Sequence, residues 1–148
     1  MSFDTKAGTR GRRRPGKLQA WLNKLFLGRI RKGGSVMGMN ALVLTTVGRR
    51  SGLERQTPVG WFPGENSWLI VASAAGSAGN PAWYHNLAAH PDRLWIETAG
   101  DKIAVRAEQL HGEERSAAWT LITTAAPRFA QYQESTDREL PVIRLIRR

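Results

Sequence analysis

The chain has 148 residues, of which 41 % are hydrophobic, and a formal net charge of +10; this fits one domain with a real core and argues against wholesale disorder. It has no cysteine, which excludes a disulfide framework, a thiolate zinc site, an iron–sulfur cluster and a cysteine nucleophile; redox leaves the compartment open, and a cytoplasmic location is the plainer expectation. No apolar run approaches the roughly 18 residues of a membrane span, and the first 17 residues, basic and glycine-containing, lack the apolar stretch of a secretory signal.

Most of the charge sits at one end. Residues 1–34 carry ten Lys/Arg against Asp4 alone, a net +9, whereas residues 35–148 carry twelve against eleven acids, a net +1. A basic arm on a nearly neutral body argues against a nucleic-acid-binding domain, whose folded face should itself be basic. It leaves an arm that could touch nucleic acid, anionic lipid or nothing.

In chain order, residues 1–16 lack periodicity and read as a flexible basic leader ending at Pro15-Gly16. From Lys17 to Lys32 the apolar residues Leu18, Trp21, Leu22, Leu25, Phe26 and Ile30 fall at helical spacing on one stripe. Such a helix either docks on the body or lies on an anionic membrane surface with Trp21 and Phe26 at headgroup depth. Gly33-Gly34 marks the boundary, so the expected division is a leader and amphipathic helix over 1–34 and a folded domain over 35–148. Strands are expected at 41–47, 55–62, 67–73, 93–98, 102–109 and 141–146, with hairpin-like links at Pro63-Gly64-Glu65-Asn66 and Gly100-Asp101. Asn80-Pro81 suits an N-cap and first helical position for a helix over 81–89, and Gly112-Glu113-Glu114 opens another to about 124. Six short strands with interspersed helices suggest an α+β, mainly β, small barrel and not a βαβ sheet.

Three stretches could carry chemistry. In Thr45-Thr46-Val47-Gly48-Arg49-Arg50-Ser51-Gly52, a strand ends in two hydroxyls and a glycine-bracketed turn presents two guanidinium groups, with Arg55 following. Three arginines within seven residues make a receiver for phosphate or carboxylate, without the signature of a P-loop or a dinucleotide fold. In Ala72–Asn80, a strand runs into very small residues that let a ligand approach the backbone before a helix start. In Trp83-Tyr84-His85-Asn86-Leu87, the i,i+4 pair Trp83 and Leu87 reads as core, and Asn86 could bond loop backbone or ligand. His85, His90 and His111 show no metal-ligand spacing. No Ser-His-Asp set can be assembled, which shifts the chemistry to a bound organic cofactor.

From about Ala41 to Ile146 the sequence resembles the deazaflavin (coenzyme F420)-dependent nitroreductase and quinone reductase family, small actinobacterial oxidoreductases. The resemblance rests on Leu44-Thr45-Thr46-x-Gly48-Arg49-Arg50-Ser51-Gly52-x-x-Arg55-x-x-Pro58, on Val71-Ala72-Ser73, and on Asn80-Pro81-x-Trp83-Tyr84-x-Asn86-Leu87. It closes with Tyr132-Gln133-x-x-Thr136-Asp137-Arg138-x-x-Pro141-Val142. It implies a six-stranded split β-barrel, related to flavin-mononucleotide-binding oxidases, preceded by the basic amphipathic helix.

The same resemblance implies that Arg49, Arg50 and Arg55, with Ser51 and Gly52 of the same turn, line the path of the cofactor's phosphate and glutamate tail. Asn86 would lie near the phosphate, Pro58, Ser73 and Gly76 beside the ring and its linker, and Tyr132 on the substrate side as the candidate catalytic residue. Ala74 stands where family members often carry lysine, and Ala126 and Phe129 where the nitroreductase has tyrosines, which implies a more open substrate pocket. The implied function is hydride transfer from reduced coenzyme F420 to a quinone (menaquinone among them), a nitroaromatic or another electron-poor acceptor. The protein would be a monomer or homodimer, peripheral on the inner face of the cell membrane through residues 1–34. The rivals are a barrel of the same shape holding flavin mononucleotide or haem, and a non-catalytic cofactor or lipid binder.

Overall fold

A computed structural model describes residues 3–12, 35–36 and 39–148. The helix expected over Lys17–Lys32 and its Gly33-Gly34 boundary lie outside the described residues. Among the described residues there are eight strands where six were expected: β1 (Ser35–Val36), β2 (Met39–Val47), β3 (Glu54–Gly60), β4 (Phe62–Gly64), β5 (Ser67–Val71), β6 (Leu94–Thr98), β7 (Asp101–Gln109) and β8 (Val142–Arg147). The added pair has a local cause. The expected strand 55–62 divides at Trp61, whose N–H leaves its own strand to donate to the Asn40 carbonyl at 3.0 Å. The piece beyond pairs instead with β5, Phe62 opposite Leu69, and β1 is a two-residue pairing on β2.

All named strand pairs are antiparallel, in the order β1-β2-β6-β7-β8-β5-β4, with β3 on β2 besides. Among the described strands β3 pairs only with β2, so Pro58 sits in an edge strand, where a missing N–H is tolerated. β7 shows the period of two expected of a half-buried strand: Ile103, Val105 and Ala107 face in, with Lys102 and Arg106 outside. The β6–β7 hairpin turns through Ala99 (φ 50°) and Gly100 (φ 84°), the left-handed pair of a two-residue link whose twist matches the strands.

Three helices follow the sheet's needs. α1 (Ala82–Ala89) buries Trp83, Tyr84 and Leu87 against Leu42, Leu44, Leu94, Ile96, Ile143 and Leu145, closing the inner core; each such side chain contributes about 1.5–3 kcal/mol. α2 (Gly112–Ala125) and α3 (Arg128–Ser135) cover a second core of Phe62, Leu69, Val71, Ile122, Phe129, Leu140 and Val142. Adjacent residues of β5 and of β8 therefore serve different cores: Leu69 and Val71 the second and Ile70 the inner, Val142 the second and Ile143 the inner. Sequence reasoning left α3 without an element. Its signal was the three-residue spacing of Phe129 and Tyr132 after Pro127, short enough to pass as loop.

Two local expectations change. Pro81, not Asn80, caps α1; Asn80 is 2 % exposed, and its amide donates to the Thr5 carbonyl while its carbonyl oxygen accepts from Arg138. The leader, read as flexible, lies over residues 3–12 along loop 72–80 and the end of α3. Gly8 N–H donates to Ala78 O at 2.7 Å and Arg12 N–H to Gly76 O at 3.0 Å. Gly11 permits this approach, since a Cβ there would stand 2.3 Å from the Ala78 nitrogen. Thr5 joins the Tyr84 hydroxyl and the Gln109 side chain in one network: Tyr84 donates to Gln109 at 2.6 Å, and Gln109 donates to the Thr5 hydroxyl at 2.8 Å. That network satisfies buried polar groups that would otherwise be costly.

Asp137 ties down the far end of this strap. The Thr9 hydroxyl and amide and the Arg10 amide all donate to its carboxylate, holding its pKa down to about 2 from 3.8, the Thr9 hydroxyl first among the causes. A depressed carboxyl pKa means that the tie is complete above the ordinary aspartate range and is lost as pH falls toward about 2. The Thr9 and Arg10 amide resonances are expected to titrate together, with a midpoint near 2 in an NMR pH series. A midpoint near 3.8, or no movement, would show that the carboxylate does not hold the strap.

Candidate functional site

Loop 48–53 joins β2 to β3 through a tight turn. Gly48 N–H donates to Leu53 O, Gly52 N–H donates to Gly48 O, and Ser51 Oγ accepts from Leu53 N–H. Gly52 supplies the left-handed φ of 71°, a conformation that glycine adopts without steric cost. The turn leaves Arg49, Arg50 and Arg55 exposed, on one side of a cleft of about 860 Å³. Ser51, Glu54, Gln56 and Thr57 complete that side, while Ala82, Trp83 and Asn86 of α1 form the opposite wall.

Asn86 connects the two walls. It is 8 % exposed; its Oδ1 accepts from Arg49 N–H at 3.1 Å, and its Nδ2 donates to Thr46 Oγ1, also at 3.1 Å. One amide thus fixes the backbone of the arginine turn to the helix, and its orientation follows from having a donor on one side and a hydroxyl on the other. Three arginines line the cleft with Glu54 as the only acid among the described residues that line it, and the first turn of α1 adds the positive end of a helix dipole. The donor set suits an extended anion carrying phosphate or carboxylate.

The expected residues divide into two groups. The cleft gathers Arg49, Arg50, Ser51, Arg55 and Asn86; Gly52 shapes its turn, and Pro58 is half-buried one position beyond Thr57. Ser73, Gly76 and Tyr132 form a second group around loop 72–80. Gly76 has φ 80°, and a Cβ there would stand 2.7 Å from the Tyr132 carbonyl oxygen, so the loop and α3 touch backbone to backbone. Tyr132 is half-buried, edge-on to Phe129 with ring centroids 5.5 Å apart. The Arg12 guanidinium lies over its ring at 5.5 Å. Phe129 and Ala126 are buried, 6 % and 7 % exposed, and Phe129 meets Phe62 edge-on. Both residues belong to the second core, and Ala126 also lines a small cleft of about 200 Å³ with Trp61 and Arg128.

Sequence reasoning missed Arg12 and Arg138. Arg12 belonged to a stretch without periodicity. Arg138 stood inside a quoted motif but next to an exposed aspartate, and its burial depends on a loop sixty residues away.

The sequence pattern of the F420H(2)-dependent quinone reductase family matches residues 17–146. An F420H(2)-dependent quinone reductase of Mycobacterium tuberculosis is 34 % identical over 111 residues, 73 % of this chain and 74 % of that one. A solved structure of an F420-H2-dependent reductase is 32 % identical, with TM-score 0.66, over 76 % of this chain and 99 % of the other. Another, described as a domain-swapped dimer, is 28 % identical with TM-score 0.67 over 87 % and 99 %. The chain belongs to the F420H(2)-dependent quinone reductase family.

Proposed function

We propose that in this F420-dependent reductase the arginine turn and Asn86 hold the cofactor's anionic phosphate and glutamate tail. Ser73 and Gly76 lie beside the ring, with Pro58 near its linker, and Tyr132 stands on the side from which the acceptor enters. The carrying observation is the cleft itself: three guanidinium groups gathered by one hairpin, opposite a helix N-terminus, on a body of net charge +1. When bound, reduced coenzyme F420 supplies a hydride from ring carbon 5 to the acceptor. The chain's task is to orient the ring, keep water from it and hold a proton source near the acceptor. Tyr132 Oη is the side-chain candidate for that proton, with solvent as its competitor. A quinone is the acceptor class of the family; menaquinone and nitroaromatics are the finer expectation. A homodimer has support in the domain-swapped neighbour.

Alanine at Arg49, Arg50 or Arg55 should each weaken F420 binding by about 1.5–3 kcal/mol, the scale of a hydrogen bond to a charged group. Affinity should also fall with added salt, because exposed charges are screened. Fluorescence titration of the single and triple variants measures this, and unchanged affinity in the triple variant would remove the cleft from cofactor binding. Tyr132→Phe should lower quinone turnover within the roughly 10²–10⁴-fold range of a positioned acid, or less where water substitutes, with F420 affinity unchanged. Loss of affinity instead would place Tyr132 with the cofactor.

We also infer that the protein works at the inner face of the membrane, held there by residues 17–32. None of the described helices is long and apolar enough to cross a bilayer, and residues 3–12 are engaged with the body. The apolar stripe with Lys24, Arg29, Arg31 and Lys32 would carry the attachment, each cation adding on the order of 1 kcal/mol. Sedimentation with anionic vesicles should recover the chain at low salt and release it at high salt. A variant with those four cations changed to glutamine should stay in the supernatant; equal recovery of both would rule the attachment out.

A further inference from the structure

The loop between β5 and α1 holds a strained turn with little side chain to support it. Ala74 (φ 46°), Ala75 (φ 55°) and Gly76 (φ 80°) are left-handed in succession, a conformation costing about 1–2 kcal/mol for each alanine. Such a turn persists only where its surroundings over-determine it. Within the loop, Gly76 N–H donates to Ser73 O and Ser77 N–H to Ala74 O, which closes the turn without fixing its place on the barrel.

Arg138 supplies the fixing. It is 2 % exposed, and all five donors of its guanidinium are directed into this loop. Nη1 donates to Ala72 O at 2.8 Å and Asn80 Oδ1 at 2.7 Å; Nη2 to Ser73 O at 2.8 Å and Ser77 O at 3.1 Å; and Nε to Ser77 O at 3.3 Å. The accepting carbonyls stand on both sides of the left-handed turn, at 72 and 73 before it and at 77 after it. A planar fork with five fixed donors can span them; an ammonium, with three donors on one atom, cannot. Arg138 is itself oriented, since its N–H donates to Thr136 Oγ1 at 3.1 Å and its carbonyl accepts from Gln133 Nε2 at 2.7 Å. Gln133 belongs to α3, next to Tyr132. The guanidinium therefore sets the distance between the Ser73–Gly76 turn and the helix that carries Tyr132.

We propose that Arg138 is a positioning residue for hydride transfer: by bridging the carbonyls on either side of turn 74–76, it fixes the ring-side loop against Tyr132. This rests on the reading of Ser73 and Gly76 as ring-side residues, and the experiment separates the two.

In the full chain, Arg138→Lys is compared with wild type and with Gly76→Ala, which disturbs the turn directly. Readouts are the backbone NMR shifts of Ala74 and Ala75 without cofactor, F420 affinity by fluorescence, and kcat and KM with menadione, at a temperature where circular dichroism shows every variant folded. Arg138→Lys is expected to lose the left-handed shifts of Ala74 and Ala75 and to lower kcat at least tenfold, while KM for menadione moves less than threefold. A residue that only stabilised the fold would lower the melting temperature and leave kcat in place. Retained shifts, or kcat within twofold of wild type, overturns the proposal. Should Arg138→Lys not fold, Asn80→Ala removes one of its acceptors and is expected to lower kcat about threefold; unchanged kcat overturns the proposal equally. If Gly76→Ala lowers kcat and Arg138→Lys does not, Arg138 alone is wrong. If neither does, the ring-side reading fails and the proposal falls with it.

Discussion

A loop of small residues cannot hold its own shape by packing. Ala72 to Gly79 carries nothing longer than a serine side chain, so hydrogen bonds from elsewhere in the chain must impose its course. They come from Arg138 on one side and from the strap on the other, where Gly8 and Arg12 donate to the Ala78 and Gly76 carbonyls. The arrangement leaves the loop backbone bare of large side chains and places the charged groups that hold it on neighbouring segments. It also joins consecutive residues in opposite tasks. Asp137 reaches outward to Thr9 and Arg10, and Arg138 inward to the loop.

The cleft at the arginine turn works on different physics. Its cations are exposed and its anchor, Asn86, is buried, so charge supplies attraction while one amide supplies geometry. Exposed guanidinium groups are individually modest contributors in water. Gathering three of them on a nearly neutral body gives a local potential without the solubility and self-repulsion effects of a uniformly basic surface. The helix that closes the cleft is also the lid of the inner core, because Trp83 serves both. Cleft and core are therefore joined along α1, which follows the loop that Arg138 holds.

The strap gives the basic arm a structural part to play. Residues 3–12 complete the hydrogen bonding of Tyr84, Asn80 and Gln109, none of which would be satisfied by the sheet and helices to the same degree without them. Arg12, the last of the described arm residues, ends over the ring of Tyr132. The arm thus runs from the inner core, at Tyr84, to α3.

The sequence alone was enough for the six longer strands, for α1 and α2, and for the arginines and Asn86 of the cleft. Alternation, turn residues and apolar spacing are local signals, and a cleft made of one hairpin and one helix keeps its members close in sequence: Arg49, Arg50 and Arg55 lie within seven residues. The split at Trp61, the packing of residues 3–12 and the tasks of Asn80 and Arg138 were decided only in three dimensions. Each depends on a partner far away in the chain, 75 residues for Asn80 with Thr5 and 66 for Arg138 with Ala72. A leader rich in Gly and Arg has the same composition whether it is solvated or laid along a loop. An arginine before a strand reads as surface until the chain closes over it, because burial of a charge is a property of what surrounds it and not of the residue.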